Sequence, residues 1–72
     1  MSLESIKMML EFMQHHRNTK IIYTFKNNNH PVALVCLKNI GMIQIIFSQL
    51  PNEISYYHDA DEAASVIDKL IN

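Results

Sequence analysis

The chain has one cysteine, one glycine, two prolines and no tryptophan among its 72 residues. With Cys36 alone, no disulfide can form within the chain, so no covalent staple supports so short a domain. A single glycine excludes the glycine-rich loops that cradle phosphates. Charge is also scarce: 18% of residues are charged, against about 25% in average domains. Six basic residues face seven acidic ones for a formal net charge of −1, which favours neither a polyanion nor a membrane surface as partner. No apolar run approaches the roughly 20 residues that span a bilayer. Glu4, Lys7 and Glu11 interrupt the N-terminal segment MSLESIKMMLEFMQ, which also lacks the basic start of a signal peptide. The expectation is a soluble cytoplasmic protein, a compartment that suits a free thiol.

What the chain does have is apolar side chains, 49% of the total. A domain of this size buries only about 60% of the surface that its unfolded chain exposes. Its core supplies net stability of about 3–5 kcal/mol at most. Apolar surface in excess of one small core points to self-association, and a homodimer is the expected state. No repeat, linker or low-complexity tract divides the sequence, so residues 1–72 read as a single domain.

Hydrophobic periodicity changes along the chain. Leu3, Ile6, Met9, Leu10 and Met13 follow helical spacing, with Ser2 as cap, Glu4 in the first turn, and Met8 and Phe12 widening the stripe. The stretch HHRNTK, residues 15–20, ends that helix. Its cations, His15, His16 and Arg17, are favoured beside exposed carbonyls. KIIYTFK (20–26) then alternates with period two, and NNNHP breaks it as a turn. PVALVCLK (31–38) is apolar on both faces and reads as a central strand. Gly41 supplies the positive φ of the next turn. MIQIIFS (42–48) carries no charge, so it needs neighbours on both sides, and EISYYH (53–58) after Leu50-Pro51-Asn52 is a fourth strand that provides one. Lys20 and Lys26 then guard the first strand as an edge. Ala60, Ala63, Ala64, Ile67, Leu70 and Ile71 return to helical spacing.

The densest cluster of chemically capable residues is HDADEA, 58–63. Asp59 precedes the last helix and Glu62 follows three residues later, the pattern of a capping box, while Asp61 adds favourable charge to the first turn. A calcium loop of the Asp-x-Asp-x-Asp-Gly type fails, since positions 63 and 64 are alanine. His58 with Asp59 and Asp61 lacks a second ligand cluster, and His15, His16 and His30 carry no metal-ligand spacing. Cys36 sits mid-strand between Val35 and Leu37, where a thiol behaves as a small hydrophobe rather than a nucleophile. No catalytic residue, metal or cofactor is assigned, and the protein is expected to be non-enzymatic.

Nucleic acid is the competing partner class. Helix, three strands and helix is also the order of the double-stranded-RNA-binding domain, and His30-Pro31 falls in the turn where that family often has a histidine near a proline. Arg17, Lys20, Lys26 and Lys38 would be the basic patch. That family meets phosphates with lysines at the start of its second helix, whereas Asp59, Asp61 and Glu62 stand there in this chain and would repel them.

Tyr23-Thr24-Phe25 before an Asn-rich turn, VALVCLK, MIQIIFS, and YYHDADEAASVIDKLI leading into the final helix together resemble the YkuJ-like family. These are short uncharacterised proteins of low-GC Gram-positive bacteria. The resemblance runs from about residue 20 onward and rests on pattern rather than a rare motif. It departs at SQLPNE, where that family is expected to have a hairpin richer in glycine and lysine. It implies a single antiparallel sheet with flanking helices and assigns no catalytic residue.

The fold expected is α+β: an antiparallel meander of three to four strands, α-β-β-β-(β)-α, with both helices on one face. The core is expected to include Leu3, Ile6, Leu10, Met13, Ala63, Ile67 and Leu70. The other face would keep Ile22, Thr24, Met42, Gln44 and Ile46, or the complementary set in the opposite register. That face, or an edge strand, is the expected surface for a second copy or another protein.

Overall fold

A computed structural model describes residues 2–17, 20–38, 41–48 and 53–72. The elements are α1 (Leu3–His16), β1 (Ile22–Asn27), β2 (His30–Lys38), β3 (Met42–Phe47), β4 (Ile54–Tyr57) and α2 (Ala60–Ile71). The four strands form one antiparallel sheet in the order β1-β2-β3-β4, so the fourth strand is present and β3 is flanked on both sides. The expected α+β meander is the fold. The break at Leu50-Pro51-Asn52 and the first half of the turn before Gly41 lie outside the described residues.

Local chemistry sets the ends of each element. Ser2 caps α1 through its Oγ, which accepts the Ser5 amide at 3.1 Å. At the other end Arg17 turns left-handed, with φ 52°, and its amide donates to the Met13 carbonyl at 3.0 Å. Asn28 and Asn29 both hold positive φ, 52° and 66°, as a two-residue hairpin turn whose twist matches its strands requires. Gly41 also takes positive φ, as expected.

Pro31, read both as the end of the NNNHP turn and as the start of the second strand, lies inside β2, and the turn is confined to Asn28 and Asn29. Phe25 pairs with Ala33 but Lys26 with Pro31, so Val32 is an extra residue in a β-bulge. The ladder is interrupted there, and a residue without an N–H is tolerated. Val32 and Ala33 both pack on the core side as a result.

The core lies between the helices and one face of the sheet. Phe25, Ala33, Val35, Leu37, Ile43 and Ile45 meet Ile6, Leu10 and Met13 of α1 and Ala60, Ala63, Ala64 and Ile67 of α2. Three alanines let α2 approach the strands closely. Gln14 of α1 donates to the carbonyls of Gly41 and His58, both at 2.9 Å, and Asn27 ties β1 to the Leu70 carbonyl at 3.2 Å. Lys7 and Asp61 join the two helices at 2.9 Å.

Two parts of the expected core are corrected. Leu3 is 45% exposed, because it opens α1 ahead of the turns that pack on α2 and the sheet. Met8 and Phe12 do not widen the buried stripe; both are exposed. At about 100° per residue each stands roughly 200° from Leu10, on the opposite side of the helix. Leu70 is half-buried at the edge of the core. No helix among the described residues is long and apolar enough to cross a membrane.

Candidate functional site on the open face of the sheet

Strand pairing divides the sheet into rungs of residues that lie side by side. Register places Ile22, Cys36, Gln44 and Tyr56 in one rung and Thr24, Leu34, Ile46 and Ile54 in the next. Lys38 and Met42 form a third, at one end. All have the parity opposite to the core residues, so they make up the face that no helix covers. Of the two alternatives open in the sequence, the set Ile22, Thr24, Met42, Gln44 and Ile46 is the outward one.

The outward face is far from an ordinary wet surface. Leu34, Met42 and Ile46 are half-buried, while Ile22 is 65% and Tyr56 53% exposed. At its centre Cys36 and Gln44 are only 8% and 7% exposed, with no covering layer. Their neighbours on the same face shield them.

These two central groups belong to a hydrogen-bonded row. The Cys36 thiol donates to Gln44 Oε1 at 3.1 Å, and Gln44 Nε2 donates to the Tyr56 hydroxyl oxygen at 3.0 Å. A polar group left without a partner when water is removed costs about 1–3 kcal/mol. Here both ends of the amide are already engaged within the chain. A partner laid over this rung removes water from it without orphaning the amide. Cys36 is buried in a strand, as its neighbours suggested, but on this face and not under the helices.

The four residues of the expected basic patch do not form one site. Arg17 is at the end of α1 and Lys20 precedes β1, whereas Lys26 is near the far end of that strand. Six residues of extended chain separate the two lysines by roughly 20 Å. Lys38 lies at the Lys20 end, two residues beyond Cys36, which faces Ile22. Positive charge therefore marks the ends of the open face and leaves its middle uncharged.

HDADEA is a helix start. Asp59 Oδ1 accepts the Asp61 amide at 2.9 Å, while the reciprocal arm expected from Glu62 is not among the hydrogen bonds of the described residues. Glu62 is exposed in the first turn, where its charge suits the N-terminus of α2. His58 contributes its carbonyl to Gln14. No group of three or more His, Cys, Asp or Glu side chains among the described residues is arranged to hold a metal.

Sequence reasoning missed Leu34, Ile54 and Tyr56 as members of this face. The available signal was the alternation in VALVCLK and ISYY, but only pairing tells which alternate set points outward. No protein-family model, curated protein or solved structure matches the chain.

Proposed function

We propose that this protein is a non-enzymatic protein–protein interaction module of the cytoplasm that works as a homodimer through the open face of its sheet. The observation that carries the reading is an apolar face built around a polar row whose central amide is already satisfied. Monomeric proteins rarely expose continuous apolar patches larger than a few hundred Å². The lone thiol of Cys36 suits a reducing compartment. The order of elements also supports kinship with the YkuJ-like family, whose strand and closing-helix patterns the chain resembles.

The test is mass in solution. Sedimentation equilibrium should give twice the chain mass at micromolar concentration. Leu34→Lys, which puts a charge on the open face, should give a folded monomer by circular dichroism. A wild-type chain that stays monomeric up to millimolar concentration would overturn the reading. Binding of nucleic acid is the weaker alternative, since the lysines are split between the ends of the sheet and the start of α2 is acidic. Anisotropy titration of labelled RNA and DNA at low salt, where electrostatic affinity is greatest, decides it.

A further inference from the structure

We draw no further inference here: the strongest candidate, the exposed surface patch of Met8 and Phe12 on the outer side of α1, is an apolar helix face for which nothing in the structure shows what covers it.

Discussion

The two faces of this sheet are built by the same four strands, and they differ less in composition than in what covers them. The inward face presents Phe25, Val35, Leu37, Ile43 and Ile45, all buried under two helices. The outward face presents Ile22, Leu34, Ile46, Ile54 and Tyr56, half-buried or exposed. Aliphatic residues alone do not distinguish them. The outward face differs in its polar row of Cys36, Gln44 and Tyr56 and in the lysines at its ends. A surface meant only for water has no need to satisfy an amide internally. One covered at some times and bare at others gains by doing so.

Substitutions on the two faces should therefore act on different equilibria. The largest effect is expected on the inward face. Ile45→Ala leaves a cavity between β3 and the helices and should cost about 2–5 kcal/mol, comparable to the whole stability of so small a domain. Urea denaturation should show the cooperative transition displaced to very low denaturant or lost. On the outward face, Ile46→Lys should leave the monomer folded but remove the dependence of the thermal midpoint on protein concentration, which mass action imposes on a dimer. An equally severe loss of monomer stability would show that the outward face belongs to the core.

Smaller effects lie in the helix layer. Asp59→Ala removes the cap of α2 and should lower stability by about 1 kcal/mol, measured as a shift in urea midpoint without a change in slope. A metal-induced stabilisation that this substitution abolished would reopen HDADEA as a binding site. The smallest effect belongs to Lys7. Its hydrogen bond to Asp61 and the attraction of that carboxylate raise its pKa above the ordinary 10.5, with Glu11 and Glu4 adding to the effect and desolvation opposing it. The folded-state pKa exceeds the unfolded one. The pair's contribution is thus complete below pH 10.5 and is lost as pH rises through the raised value. Wild type should approach Lys7→Met in stability over that alkaline window and differ from it most at neutral pH. Added salt should narrow the difference.

Much of this architecture is legible in the residues themselves. Period-two alternation marks the strands, and the Asn pair, Gly41 and the acidic start of α2 mark where the chain must turn or begin a helix. The uncharged MIQIIF segment announces its two neighbours. Less legible was α1, where apolar residues occupy both sides. Leu3, Met8 and Phe12 have the chemistry of core residues, and the geometry of the helix puts Met8 and Phe12 opposite the buried line. The NNNHP turn was read too long: the lack of an N–H on Pro31 forbids a regular ladder but not a strand interrupted by a bulge, so His30 and Pro31 belong to β2. The open face was visible only as a pair of alternatives, because the strands carry apolar residues on both sides.

The sequence by itself determined the elements, their order and their caps, since these depend on interactions within a few residues. It also determined that apolar surface would exceed one small core, because composition alone counts it. Only the tertiary structure decided which alternate set of strand residues faces the helices, because a one-residue slip in pairing exchanges the two faces and local chemistry scarcely distinguishes them. Only pairing could align Cys36, Gln44 and Tyr56 from three strands into a single bonded row, with Leu34, Ile46 and Ile54 side by side in the next rung. Those long-range alignments create the surface on which the proposed function rests.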